Sequence, residues 1–396
     1  MTTFFRRLGS LLCAFGVVAT GCTSTAETPP PSSSADPAKA RAVLKIVRDT
    51  MAQAHLKAAL VRITVDGKEI VTQAVGDSMT GVPATTSMFF RNGAVATSYV
   101  STLLLKLVDE KKVRLEDKLS TWLPDIPNAD RVTLGQLAHM TSGYQDYVNA
   151  EFTAARDADP FRQWNPDELL GYAVHKPLLY EPGTNWNYAR TNYVLLSLAL
   201  EKATGAELPK LLQDKVLGPL ALINTANSYT PQIPVPTLHA FTSERRRALK
   251  IPAGTPFYED ATFWNPSWTM PRGAVQTTNI YDLEATAVGI GSGKLLSPGS
   301  YKAMVSNDLR GSVQGGTYGM GIVVSGNWLL QNSMFAGESA VEAYLPSQKI
   351  AVAVAVTYHP TAFDDQGNYR NEADTLFQKI GAELAPNDAP PVPPAG

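Results

Sequence analysis

From Ile350 to Tyr358 the chain reads IAVAVAVTY, almost without a polar side chain. A strand with one wet face alternates apolar and polar residues, whereas a strand buried on both faces does not. This segment is therefore expected to be a central strand covered above and below. Near the start of the chain, Ala59 to Val65 and Lys68 to Val75 flank Asp66-Gly67, a strong two-residue hairpin turn. Near the end, Tyr318 to Val324, Trp328 to Gln331 and Ser339 to Leu345 are further β-rich runs. Helix and loop, punctuated by Pro and Gly, fill the middle. Strands at both ends with helices between imply one sheet completed by the two termini, carrying an inserted helical region.

Helix signals frame that sheet. Asp36-Pro37 supplies an N-cap and a first-turn proline, and Ala40, Val43, Leu44, Val47 and Met51 keep helical spacing to about His55. A second helix, Ser101 to Lys111, carries the apolar face of Val100, Leu103, Leu104, Leu107 and Val108. A third, Glu372 to Leu384, closes the domain. The Pro/Ala-rich residues 385–396 read as a disordered tail.

The net charge of −2 leaves no footprint for nucleic acid, so no such partner is expected. The one tight basic cluster, Arg245-Arg246-Arg247, reads as a solvated loop face. At the other end, Arg6 and Arg7 precede an apolar run from Leu8 to Val18, the layout of an export signal and too short to span a bilayer alone. Ala19-Thr20-Gly21-Cys22 resembles a bacterial lipoprotein signal, with Cys22 as the lipidated residue. The expected order is a leader over 1–21, a Pro/Ser/Thr-rich linker over 22–36, and a domain over 37–384. Such a protein would sit on the outer face of a bacterial membrane, its partner. Cys13 and Cys22 are the two cysteines, so packing rather than disulfides must hold the exported domain together.

Several ordered landmarks then point to one family. Phe90-Arg91-Asn92-Gly93-Ala94-Val95-Ala96-Thr97 opens the second helix. Thr133-Leu134-Gly135-Gln136-Leu137-Ala138-His139-Met140-Thr141-Ser142-Gly143, Pro182-Gly183, Tyr188, Asn192-Tyr193 and Gly293-Lys294-Leu295-Leu296-Ser297 follow. From about Lys57 to Leu384 the chain resembles the β-lactamase and penicillin-binding serine hydrolases, the class C β-lactamase and DD-peptidase branch. The resemblance implies an α/β (α+β) fold: an antiparallel sheet flanked by helices, built from both chain ends. The α/β part would take about 37–92 and 290–384, and a mainly helical subdomain about 93–289.

The family's three catalytic elements are degenerate here. F-R-x-G-S-x-x-K has become Phe90-Arg91-Asn92-Gly93-Ala94-Val95-Ala96-Thr97, with a methyl for the acylated hydroxyl and a neutral hydroxyl for the amine. A methyl cannot attack a carbonyl, and a neutral threonine hydroxyl is a poor general base near neutral pH. Y-x-N has become Tyr188-Ala189-Arg190. Counting back from Gly337 places the third element, K-T-G or H-x-G, on Gln331-Asn332-Ser333. Arg190 would either satisfy a carboxylate or, with Tyr188, line a pocket for a small anionic or peptide ligand. The expected function is a catalytically inactive, lipid-anchored binding or scaffold protein of the cell envelope. The alternatives are an esterase- or peptidase-like enzyme rearranged around Tyr188, Ser98, Ser101, Ser333 or Ser339, and a structural role with the cleft filled by side chains. No cofactor is implied, and His55, His139, His175, His239 and His359 show no paired metal-binding spacing.

Overall fold

The computed structural model describes residues 34–227, 229–269, 276–306 and 316–392. The expected leader and all of the linker except residues 34–36 lie outside them. Asp36 caps the first helix, α1 (Pro37–Gln53), accepting from the amides of Ala38 and Lys39. Strands β1 (Leu56–Val65) and β2 (Lys68–Met79) form the hairpin. Asp66 and Gly67 both take positive φ, 49° and 74°, the turn whose twist matches paired strands. After β3 (Val82–Pro83) comes α2 (Ala96–Asp109), then α3 (Thr191–Thr204) in the helical region and α4 (Ile280–Gly291). The chain returns through β4 (Thr317–Tyr318), β5 (Val323–Ser325), β6 (Trp328–Phe335), β7 (Glu338–Leu345) and β8 (Ile350–Tyr358), and ends in α5 (Glu372–Leu384).

These strands make one antiparallel sheet in the order β3-β2-β1-β8-β7-β6-β5-β4. β8 is central and buried along its whole length, as its unbroken apolar run requires. Side chains alternate between two dry faces. On one, Ser339 of β7 accepts from the Ala373 amide of α5, and Lys379 of α5 reaches Thr50 of α1. On the other, Gln331, Glu342, Ala353 and Arg62 stand in register across four strands, and Arg62 pairs with Glu284 of α4. That second face carries the start of α2.

Four expectations need correction. The boundary at 289/290 cuts through α4, which packs on β1, β7 and β8 rather than within the helical region. Its apolar residues Ile280, Leu283, Ala287 and Ile290 are what the sheet face needs to stay dry. The run Tyr318 to Val324 is two strands, because the backbone turns at Gly321. The tail is docked as far as it is described: Ala385 is buried and Pro386–Asp388 form a short 3-10 turn. Buried Trp328 donates its indole N–H to the Asp388 carbonyl at 2.7 Å, and Asn327 and Gln348 hold the Asp388 carboxylate. Proline-rich composition argues against helix or strand, but a buried indole N–H demands an acceptor.

The arginine cluster is likewise no solvated face. Arg246 is 7% exposed and donates to the carbonyls of Pro252 and Thr255, stapling its own loop. Arg245 pairs with Glu259 and donates to the Asp157 carbonyl. Arg247 alone of the three is exposed.

Candidate active site

The start of α2 is clamped before any side chain chemistry begins. Phe90 and Arg91 pair with Thr278 and Thr277. Asn92 and Gln276 exchange hydrogen bonds, Asn92 N–H to the Gln276 carbonyl at 3.0 Å and Gln276 N–H to Asn92 Oδ1 at 2.9 Å. Arg91, fully buried, spreads its guanidinium over the carbonyls of Thr262 and Pro231. Gly93 has φ +51°, and a Cβ there would stand 2.6 Å from the Ser333 Cβ. Only glycine fits, for both reasons. β6 therefore lies directly against the helix start. From Phe90 to Leu105 every residue is buried except Ala94. The one position of this segment that reaches solvent presents a methyl group.

One turn farther in, Thr97 is fully buried and its hydroxyl is spoken for. It donates to the Ala94 carbonyl at 2.9 Å and accepts from Gln331 Nε2 at 2.8 Å. The same Gln331 nitrogen donates to the Gly321 carbonyl at 2.9 Å, while Gln331 Oε1 accepts from the Asn332 amide at 3.0 Å. Gly321, at φ +67°, is packed so closely on α2 that a Cβ would lie 2.4 Å from the Thr97 carbonyl oxygen. The sequence offers no signal for that carbonyl's part. The first and third elements are thus joined by an amide and a hydroxyl, a neutral pair without a base.

Arg190 spends one arm of its fork inside the protein. Its Nη1 lies 2.6 Å from Asp146 Oδ2, its backbone N–H donates to Asp146 Oδ1 at 3.1 Å, and its guanidinium sits 5.3 Å over the Tyr188 ring. Of the two expected roles it performs the first, satisfying a carboxylate. Asp146 went unnoticed in the sequence; the available signal was its place three residues past Gly143 in a family landmark. Burial pushes the Tyr188 phenol upward, against the lowering influence of Arg190, so it is protonated at neutral pH. Tyr188 is also within electrostatic reach of Tyr193 and Tyr318, and Tyr318 in turn neighbours Thr97.

The other candidate serines are each engaged or enclosed. Ser98 donates back to the Val95 carbonyl at 2.7 Å, Ser101 meets the Tyr193 phenol at 2.8 Å, and Ser339 meets the Tyr358 phenol at 2.6 Å. Ser333 packs on Gly93 and is buried, with no Lys or His bonded to it. Cys22 lies outside the described residues. Four cavities of about 420 to 530 Å³ open elsewhere, and none of these four is lined by Ala94, Thr97, Tyr188, Arg190 or Gln331.

Known proteins share the fold. The Beta-lactamase family profile matches residues 43–377. Penicillin-binding protein 4 of Amycolatopsis lactamdurans is 31% identical over 176 residues, which is 42% of this chain and 44% of that protein. The matched segments span 31% to 60% of the lengths of three penicillin-binding relatives. Among solved structures, D-amino acid amidase from Ochrobactrum anthropi SV3, complexed with D-phenylalanine, superposes with TM-score 0.75 at 18% identity, over 88% of this chain and 99% of that one. A D-stereospecific amidohydrolase from Streptomyces sp. gives TM-score 0.71 at 22% identity, over 89% and 99%. The profile covers most of the chain, and this chain belongs to the Beta-lactamase family, whose penicillin-binding-protein-like fold it shares.

Proposed function

We propose that this protein is an exported, lipid-anchored member of its family that binds rather than cleaves, serving as a binding or scaffold protein of the cell envelope. One observation carries the reading: the solvent-reaching residue at the helix start, Ala94, has no attacking atom, and the Thr97 hydroxyl behind it is bonded to an amide. In serine hydrolases, loss of the nucleophile or its base costs roughly 10⁶-fold in turnover, and losing both adds little more. Binding energy survives such losses, because it resides in the remaining walls of the site.

The ligand class follows from what is still free. Asp146 neutralises Arg190, which weakens the case for an anion. Thr97 and Gln331 are buried, so of the expected residues Ala94 and Tyr188 are left with accessible surface and no charge. A short peptide or amide fits best, in keeping with relatives described as a penicillin-binding protein, an amidase and an amidohydrolase. Incubation with a fluorescent penicillin followed by denaturing electrophoresis tests the central claim. The natural chain is expected to carry no denaturation-resistant label, and a labelled band would end this reading.

A further inference from the structure

We infer that Gln331 is the residue that locks the site against acyl chemistry, so that Ala94→Ser and Thr97→Lys together do not restore it. The inference rests on the silent-binder reading above and goes beyond it. It assigns the silence to a third position, outside the first element.

In acylation by a β-lactam, a serine oxygen forms an ester bond with the ring carbonyl carbon and the ring C–N bond breaks. The hydroxyl proton passes through a neutral amine to the departing nitrogen. The amine must therefore be present, uncharged at the moment of reaction, and free to reach the hydroxyl. Gln331 opposes each requirement from where it stands. It is 4% exposed, wedged between Thr97 and Gly321, with its two amide protons spent on Thr97 Oγ1 at 2.8 Å and the Gly321 carbonyl at 2.9 Å. A lysine ammonium at position 97 brings three more donors and no acceptor.

Two responses are open to the amide. If it stays, its N–H faces an ammonium donor against donor and displaces it from the serine, or donates to the lone pair of a neutral amine and so occupies the electrons that must take the serine proton. If it turns over, its oxygen accepts from the ammonium, the Asn332 N–H loses its acceptor, and the carbonyl favours the charged form of the amine. A charged amine takes no proton. Both responses leave the installed pair idle. Gln331→Ala removes the amide and leaves the installed amine free to approach the introduced hydroxyl.

The test compares three full-length proteins for covalent labelling by fluorescent penicillin: natural chain, Ala94→Ser/Thr97→Lys, and the same pair with Gln331→Ala. Circular dichroism melts confirm that each is folded, and Gln331→Ser stands in for Gln331→Ala if the latter unfolds. The double variant is expected to stay at background and the triple variant to label at least tenfold more. Equal labelling of the two would overturn the inference, and so would a folded triple variant that does not label. Labelling of the natural chain would defeat the silent-binder reading instead, a separate and distinguishable failure.

Discussion

At the scale of single residues, β7 and its surroundings carry an unusual load of buried acid. Burial pushes the Glu338 carboxyl up to about 8, against the lowering effect of Arg91, and the Asp374 carboxyl up to about 7, against the amide of Asn332. Glu342 is raised well above its ordinary value by burial alone. In each case the folded chain holds a proton that the unfolded chain would release near the ordinary values of 3.8 to 4.5. Folding therefore takes up protons as pH rises above that range. The stability these groups contribute is complete below about pH 4 and is lost as pH climbs through 7 to 8. Urea unfolding between pH 5 and 8 is expected to show a steady fall in stability, and Glu338→Gln to flatten it. A curve that rises with pH over this range would show these carboxyls to be ionised and paired. None of this was legible in the sequence, since a glutamate in a strand looks the same whether its neighbours are water or Arg91.

At the scale of elements, two contacts decide how the site is framed. The Arg190–Asp146 pair ties the start of α3 to the loop after Gly143, with both side chains about three-quarters or more buried. A double-mutant cycle with Arg190→Ala and Asp146→Ala is expected to return a coupling of about 1–2 kcal/mol, within the range for residues in one network. Additive effects would mean that the pair is a surface ornament. The docked tail is the other contact. Truncation after Leu384 strips the Trp328 indole of its acceptor and removes the buried Ala385. A loss on the order of 1–3 kcal/mol is expected, from an orphaned buried donor plus lost apolar burial. Unchanged melting would show that the tail only rests on the surface. Local pattern located the hairpin, α1 and α5 because turn chemistry, capping and apolar spacing act within a few residues. The packing of α4 on the sheet and the tail on Trp328 depends on partners dozens of residues away.

At the scale of the molecule, the predicted anchor is the part that structure does not reach. Replacement of the lipid-accepting thiol by Cys22→Ser is expected to move the protein from the membrane to the soluble envelope fraction. Retention at the membrane would assign attachment to something other than this cysteine. The fold itself was present in the residues: an apolar strand at one end, an Asp-Gly hairpin at the other, and ordered family landmarks between. So was the missing hydroxyl at the family's nucleophile position, because Ala94 is a methyl wherever it is placed. Only the tertiary structure decided what fills the space left behind. Gln331 meets Thr97 across more than two hundred residues of chain, and Arg190 finds Asp146 from a different loop. Residue types and short-range spacing determine which groups are available, but which donor meets which acceptor is settled by close packing of distant segments, where every buried polar atom needs a partner.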